Sequence, residues 1–354
     1  MKKYWSRLAA GLVPYVPGEQ PKDKKYIKLN TNENPYGPSP KVLEAVRQAT
    51  DDMLRLYPDP SCSALIDAAA ESYGVGRDQI FAGNGSDEVL AFAFMAFFDP
   101  GRRIIFPNIT YSFYPVYALL FNLDYVTTPL DSEFNIPTEG LMKGSGGIVL
   151  ANPNAPTGKA MPLSAIRGIL DASPDKVVIV DEAYIDYGGE SAIGLINKYP
   201  NLLVIHTFSK SRALAGMRIG LAFGDSGLIQ ALENVKNSFN SYTLDRLAIA
   251  AGIAALQDPE YYRGTLQRVL ATREKFVNDL RERDFYVTDS SANFVFVSHK
   301  TIRAEELFKR LRQAGILVRY FRDPLIDNYL RISIGKDEEM KALVEEIDRI
   351  RGRA

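Results

Sequence analysis

The sequence predicts an α/β protein with a large three-layer α/β/α domain, built on a mostly parallel sheet, and a smaller α+β domain. Its length of 354 residues corresponds to about two domains. Between about residues 61 and 223, short apolar strands rich in β-branched residues alternate with helices, as in a parallel sheet that is buried on both faces. After Phe223 the pattern changes to long helices, followed by strands and helices in mixed order.

The elements of the first half follow in order. The first thirty residues are rich in Pro, Lys and Gly and predict an extended arm, and residues 30–40 (NTNENPYGPSP) are turn-forming. An amphipathic helix is expected at 41–53. The expected strands of the large sheet lie at 80–82, 103–106, 124–128, 147–151, 177–180, 202–207 and 219–223. The expected helices lie between most of these strands, at 63–73, 86–98, 114–121 and 162–172.

The second half begins with a helical region at 227–284, with breaks near 238–241 and 258–259. Further strands are expected at 286–288, 294–298, 316–320 and 329–334, with helices at 304–314 and 338–351. We therefore divide the chain into three parts. Residues 1–40 form an arm and the start of the small domain, residues 41–245 the large domain, and residues 246–354 the small domain, although no linker marks the boundary near 245.

Composition excludes several classes of function. The net charge of -1 gives no general attraction to nucleic acid or to an anionic membrane. The longest apolar run, residues 89–98, is about half a membrane span, and the N-terminus lacks the apolar stretch of a signal peptide. The single cysteine cannot form an internal disulfide, so a soluble cytoplasmic protein is expected. With only His206 and His299, the chain offers little for a histidine-rich metal site or a Ser-His-Asp triad.

Charged residues follow two apolar strands at the end where parallel sheets bind ligands. Lys210 lies just past strand 202–207, Arg218 follows eight residues later, and Asp181 directly follows strand 177–180. Taken singly, the two basic residues fit a solvated loop and Asp181 fits a loop cap. A buried acid needs a cationic or hydrogen-bonding partner, however, and together the residues favour a carboxylate paired with a heteroaromatic nitrogen.

Two other strand ends add to this pattern. Residues 83–88 (GNGSDE) precede an apolar helix, and the glycines, a serine N-cap and free N–H groups favour an anion there. The segment is neither a dinucleotide fingerprint nor a P-loop. Residues 151–158 (ANPNAPTG) follow another strand, and Tyr111 is placed to stack on a flat ring. With Ser209 and Arg218 completing a phosphate cup, these residues supply what a pyridoxal 5'-phosphate site needs.

The motifs resemble those of the fold-type I pyridoxal-phosphate-dependent aminotransferases, and the histidinol-phosphate branch is the most similar. The resemblance extends from Pro14 to Gly335. The segments PYVPGEQP (14–21) and ILVRYF (316–321) favour that branch. The other motifs that carry it are NENPYGPSP, YPDP, GNGSDE, NPNAPTG, VDEAYIDY, TFSKSRALAGMRIG and YLRISIG.

The resemblance implies roles for individual residues. Lys210 would form the Schiff base with the cofactor, Asp181 would pair with the pyridinium nitrogen, and Tyr184 would contact the 3'-oxygen. The implied cofactor-binding residues also include Gly85, Ser86, Asp87, Tyr111 (stacked on the ring), Thr207, Ser209, Arg218 and, from the other subunit of a homodimer, Tyr57. Arg331 would bind the anionic end of the substrate, with Tyr15, Asn32 and Arg319 nearby.

One position departs from the family pattern. Many relatives have Asn directly before Pro-Thr-Gly, where this chain has Ala155, and we assign the amide that contacts the 3'-oxygen to Asn154.

The implied reaction interconverts histidinol phosphate plus 2-oxoglutarate and imidazole acetol phosphate plus glutamate, a ping-pong transamination in histidine biosynthesis. Its partners would be small amino acids, keto acids and phosphates, with no metal. The open alternatives are an aromatic amino-acid aminotransferase and a phosphothreonine decarboxylase of the same fold. A cofactor-binding transcription regulator would need an added DNA-binding domain. A merely structural α/β protein would leave Asp181, Lys210 and Arg218 unexplained.

Overall fold

The computed structural model describes residues 3–352. The helices are α1 Arg7–Gly11, α2 Pro40–Gln48, α3 Ser63–Tyr73, α4 Gly85–Phe97, α5 Tyr114–Leu120, α6 Thr138–Leu141, α7 Leu163–Asp171, α8 Ser226–Phe239, α9 Arg246–Leu256, α10 Pro259–Arg281, α11 Ala304–Gln313 and α12 Asp337–Arg351. The strands are β1 Ile27–Leu29, β2 Ile80–Asn84, β3 Ile104–Pro107, β4 Tyr125–Thr128, β5 Gly147–Ala151, β6 Val178–Asp181, β7 Leu202–Thr207, β8 Ile219–Gly224, β9 Phe285–Val287, β10 Phe294–His299, β11 Ile316–Tyr320 and β12 Leu330–Ser333.

The large sheet has seven strands in the order β2-β8-β7-β6-β5-β3-β4. The pairs from β7 to β4 are parallel, and β8 runs antiparallel to both of its neighbours. Strands β5, β6 and β7 are buried along their whole length because helices pack on both faces of the sheet and form two separate cores. The predicted three-layer α/β/α arrangement with a mostly parallel sheet is confirmed.

The small sheet has the order β1-β11-β12-β10-β9. Its edge strand β1 pairs in parallel with β11, so residues 27–29 join a sheet whose other strands all begin at or after Phe285. The first thirty residues, which we predicted to be extended throughout, thus contain this strand and helix α1. Ser6 accepts a hydrogen bond from the backbone of Ala9 and caps α1, and Leu29 is buried in the small-domain core.

The division between the two cores falls later than residue 245. Helix α9 presents small residues to the large-domain core, where Ala248 and Ala251 are buried. A Cβ at Gly252 would lie 2.8 Å from Leu65, which shows how closely α9 packs on α3. Helix α10, which begins at Pro259, instead buries its apolar face in the small-domain core. The break at 258–259, and not residue 245, therefore separates the cores.

Neither domain alone forms the candidate site. The carboxyl ends of β5, β6 and β7 meet the first turn of α4 at one edge of the large sheet, and β11 and β12 face this edge from the small sheet. Within residues 3–352, no helix has the length and apolar character needed to cross a membrane.

Candidate active site

A cavity of about 210 Å³ lies where the two domains meet. This one cavity is lined by most of the side chains that the sequence assigned to a site. These side chains are spread over more than 300 residues of chain. These residues are Tyr15, Asn32, Ser86, Asp87, Tyr111, Asp181, Tyr184, Thr207, Ser209, Lys210, Arg218, Arg319 and Arg331. The lining also includes Gly18, Asn30, Thr31, Glu33, Ala151, Ala155, Ala183 and Ala215, which sequence reasoning did not select.

Asp181 ends β6 and presents a buried carboxylate to the cavity. Its Oδ2 accepts a hydrogen bond from the Tyr114 hydroxyl (3.0 Å), and its Oδ1 accepts one from the backbone N–H of Ala183 (3.2 Å). Burial raises the pKa of Asp181 to about 6 against these two hydrogen bonds. The carboxylate is thus held in a fixed orientation and lacks a cationic partner among its hydrogen bonds.

Tyr114 is a site residue that the sequence did not reveal. It is fully buried at the start of α5, within the aromatic run FYPVY, and packs against Phe94 and Phe106. From the sequence alone, such an aromatic run cannot be told apart from one that packs in an ordinary hydrophobic core. The hydrogen bond of Tyr114 to Asp181 and the edge contact of its ring with Tyr111 (5.7 Å between ring centres) connect it to the site.

Lys210 lies in the loop that follows β7. Its Nζ donates to the Thr31 carbonyl oxygen (3.1 Å) and lies 5.7 Å from the centre of the Tyr184 ring. The amine is therefore in the cavity, on the same side as the phenol that the resemblance assigns to the cofactor.

The turn between β2 and α4 forms a cationic cup with Arg218. Gly85 has φ +80°, and a Cβ there would lie 2.5 Å from Nη2 of Arg218, so glycine allows the guanidinium to lie against the turn. The guanidinium also contacts Asp87 (3.1 Å) and Ser209 (3.5 Å). Tyr111 donates to the other oxygen of Asp87 (2.7 Å). This arrangement adds a guanidinium and a hydroxyl to the N–H groups of a helix N-terminus and is suited to a phosphate.

A second cationic group lies on the small sheet. Arg319 and Arg331 are directly opposite each other on the antiparallel strands β11 and β12, so their side chains share one face of the sheet. Arg331 donates from Nη2 to the Asn30 carbonyl (3.0 Å), while its buried Nε has no hydrogen-bond partner. Burial lowers the pKa of Arg331, and the charge of Arg319 lowers it further. Two adjacent cations with an unsatisfied donor indicate a site for an anionic group.

Asn154 does not line the cavity. Its Oδ1 accepts from the Thr110 hydroxyl (2.8 Å), and its Nδ2 donates to the Ile109 carbonyl (3.0 Å) and to the Thr157 hydroxyl (3.1 Å). The amide that we assigned to the cofactor 3'-oxygen is thus engaged with its own loop and with the loop at 109–110, and Ala155 lines the cavity instead.

Tyr57 also lies outside the cavity of its own chain. Its side chain is 77% exposed, and its ring stacks on Tyr242 with 4.5 Å between the ring centres.

Glu182, the residue after Asp181, forms a buried hydrogen-bonded pair with His206 that sequence reasoning also missed. Nε2 of His206 is 2.8 Å from Oε2 of Glu182, and the other oxygen of Glu182 accepts from the backbone N–H of Ala192 (2.7 Å). Neither member of this pair lines the cavity. In the part of the chain that the structure describes, no group of three or more His, Cys, Asp or Glu residues is arranged to hold a metal ion.

Comparison with known proteins shows which family the chain is similar to. The family model for class I and II aminotransferases matches residues 24–347. The chain is 54% identical over 347 residues to a histidinol-phosphate aminotransferase of Clostridium acetobutylicum, covering 98% of this chain and 99% of the relative. It is 52% identical over 350 residues to the one from Clostridium botulinum strain Okra, covering 99% of both chains.

Solved structures agree with this similarity. The histidinol-phosphate aminotransferase from Sinorhizobium meliloti in complex with pyridoxal-5'-phosphate superposes with a TM-score of 0.91 at 26% identity, covering 100% of this chain and 99% of that chain. Aspartate aminotransferase from Thermus thermophilus with maleate has a TM-score of 0.82 at 21% identity, covering 92% of both chains, and shares the fold.

Proposed function

Because the chain belongs to the class I and II aminotransferase family, we propose that it is a histidinol-phosphate transaminase. It would interconvert histidinol phosphate plus 2-oxoglutarate and imidazole acetol phosphate plus glutamate. The observation that carries the proposal is the presence of two separate cationic groups in one cavity. Arg218 lies beside the first turn of α4 and suits a cofactor phosphate, while Arg331 and Arg319 remain for an anionic substrate.

The cofactor of this family is pyridoxal 5'-phosphate, which is also bound in the Sinorhizobium meliloti structure. The residues of this cavity fit it. Gly85 leaves the space against Arg218 that a side chain would fill, and Asp181 offers a buried carboxylate for a ring nitrogen. When bound, the cofactor supplies an electron sink for the negative charge that develops at the substrate α-carbon.

Lys210 would hold the cofactor covalently and act as the base. Its Nζ lies in the cavity within hydrogen-bonding distance of the Thr31 carbonyl. As a free amine beside the substrate, it would take up the α-carbon proton and deliver it to carbon C4' of the cofactor. Asp181, ionised above a pKa of about 6 and oriented by Tyr114, would keep a proton on the ring nitrogen.

Arg331 and Arg319 would orient both substrates. A guanidinium binds a carboxylate or a phosphate through two parallel hydrogen bonds, so one site can accept the anionic end of either glutamate or histidinol phosphate. Tyr15 lies over the same side of the cavity, with its ring stacked on Phe113 at 4.6 Å and 6.5 Å from Tyr111. We propose that Tyr15 and the arm exclude water from the bound substrate.

We further propose a homodimer with shared sites, located in the cytoplasm. An exposed surface around Tyr57 carries several large apolar side chains, which favours burial against a second copy. These side chains are Met53, Leu54, Leu56, Phe239 and Tyr242. Tyr57 would then reach the phosphate cup of the partner subunit. The free and buried Cys62 supports a reducing compartment.

The experiment compares turnover of imidazole acetol phosphate with that of phenylpyruvate, using glutamate as the amino donor. A higher kcat/KM for imidazole acetol phosphate is expected, whereas preference for phenylpyruvate would identify an aromatic aminotransferase. Release of carbon dioxide from phosphothreonine would identify the decarboxylase.

Substitution tests the residue assignment. Arg331→Ala should lower kcat/KM for both anionic substrates by roughly 10- to 100-fold, the effect of losing a charge-assisted hydrogen bond. Arg303→Ala, which removes an exposed arginine paired with Asp327, is the matched control and should leave turnover unchanged. If Arg331→Ala transaminates both substrates normally, the assignment of the substrate site is wrong.

A further inference from the structure

Asn32 connects the small sheet to the phenol of Tyr184. It follows β1, is only 1% exposed and has a left-handed backbone with φ +56°. Its backbone N–H donates to Oγ of Ser333 (2.8 Å), and its carbonyl accepts from Nδ2 of Asn293 (2.9 Å). Its side-chain Oδ1 accepts from the Ser333 hydroxyl (2.9 Å), and its Nδ2 donates to Oη of Tyr184 (3.0 Å). All the polar groups of Asn32 are therefore engaged.

The directions of these hydrogen bonds follow from one another. A backbone N–H can only donate, so Oγ of Ser333 accepts from it and has its own proton left for Oδ1 of Asn32. With Oδ1 accepting from Ser333, the amide has its NH₂ group toward Tyr184. An NH₂ group can only donate, so the Tyr184 oxygen accepts and its hydroxyl proton remains for another acceptor.

The position of Tyr184 gives that proton a destination. Tyr184 lines the cavity next to Ala155, at the place where the amide of Asn154 is engaged elsewhere. The cavity side of Tyr184 thus has no competing amide from that loop.

We propose that Asn32 is a positioning residue that directs the Tyr184 hydroxyl proton into the cavity, toward the 3'-oxygen of the cofactor. The inference rests on the proposed function, because it requires Tyr184 to contact the cofactor there. Ser333, on β12, orients the Asn32 amide and so links the orientation of Tyr184 to the small sheet.

The test is the pH titration of the visible absorbance of the substrate-free holoenzyme. A hydrogen bond donated to the 3'-oxygen stabilises its ionised form and so lowers the midpoint of this titration. Asn32→Asp replaces the donor by an acceptor that attracts the Tyr184 proton, and an upward shift of about one pH unit is expected. Ser333→Ala adds no charge and should shift the midpoint in the same direction by less, because it releases the amide.

Two comparisons separate positioning from a general effect. Asn201→Asp makes the same chemical change at the opposite edge of the large sheet, where Nδ2 contacts backbone carbonyls of Ser173 and Lys176, and should leave the midpoint unchanged. In a Tyr184→Phe background, Asn32→Asp should shift the midpoint by less than half as much as in the wild type. The inference would be overturned if Asn32→Asp shifted the midpoint equally in both backgrounds. It would also be overturned if neither Asn32→Asp nor Ser333→Ala shifted the midpoint. A wild type without visible absorbance after incubation with pyridoxal phosphate would instead refute the proposed function.

Discussion

Asp181→Asn should stabilise the cofactor-free protein above pH 6. Burial raises the pKa of Asp181 from 3.8 to about 6, so the folded state favours the protonated acid. Below pH 3.8 the carboxyl is neutral in both the folded and the unfolded state, and burial of the ionised form costs nothing. The free-energy cost of burying the ionised carboxylate grows between pH 3.8 and 6 and reaches its full value above pH 6. About two pH units at 1.4 kcal/mol each give about 3 kcal/mol.

Asparagine has the same shape as aspartate and can still bond to Tyr114 and Ala183 without carrying a charge. Urea unfolding of the cofactor-free wild type and Asp181→Asn should therefore give similar free energies of unfolding at pH 4. At pH 8 the variant should be more stable by about 3 kcal/mol. Its affinity for the cofactor should fall, because the carboxylate partner of the ring nitrogen is lost.

The matched control is Asp171→Asn. Asp171 is exposed and accepts a hydrogen bond from the Tyr199 hydroxyl (2.8 Å), so it keeps the tyrosine–carboxylate pair without the burial. The Asp171→Asn variant should therefore not show the gain in free energy of unfolding at pH 8. Our account of Asp181 is refuted if Asp181→Asn is no more stable than the wild type at pH 8, or if its gain is the same at pH 4.

Three further predictions concern the cup, a helix and the exposed tyrosine. Gly85→Ala should weaken cofactor binding at least tenfold in an absorbance titration, because its Cβ would lie 2.5 Å from Nη2 of Arg218 at φ +80°; unchanged affinity would contradict the cup. Gly168→Ala should raise the free energy of unfolding by about 1 kcal/mol in urea, because Gly168 lies inside α7 with no atom within 4 Å of an added Cβ. A loss of stability would instead show that the added methyl group clashes with its surroundings. Tyr57→Phe should lower cofactor affinity in the dimer, while equal affinity would remove Tyr57 from the phosphate site.

The residues at strand ends were predictable because buried parallel strands have a clear sequence pattern. The apolar runs before Asp181 and Lys210 locate β6 and β7 to within one residue. Since the carboxyl ends of parallel strands share one edge of the sheet, these side chains had to lie close together. Sequence alone thus placed most of the cavity lining.

Contacts between distant segments were not predictable. Residues 27–29 form a strand only because β11 offers a free edge, and α9 belongs to the large core because it packs on α3. The orientation of Asn154 depends on hydrogen bonds to the loop at 109–110. Tyr114 and the Asn32–Tyr184 hydrogen bond likewise follow from tertiary packing, since neither has a local pattern.

The most direct test of the central claim is to locate the covalent attachment of the cofactor. The holoenzyme is reduced with borohydride, digested and examined by mass spectrometry. Our account predicts the pyridoxyl-phosphate mass on the peptide that contains Lys210 and no labelled peptide from Lys210→Ala. Attachment at a different lysine of the wild type, or an unlabelled wild type after incubation with pyridoxal phosphate, would contradict it.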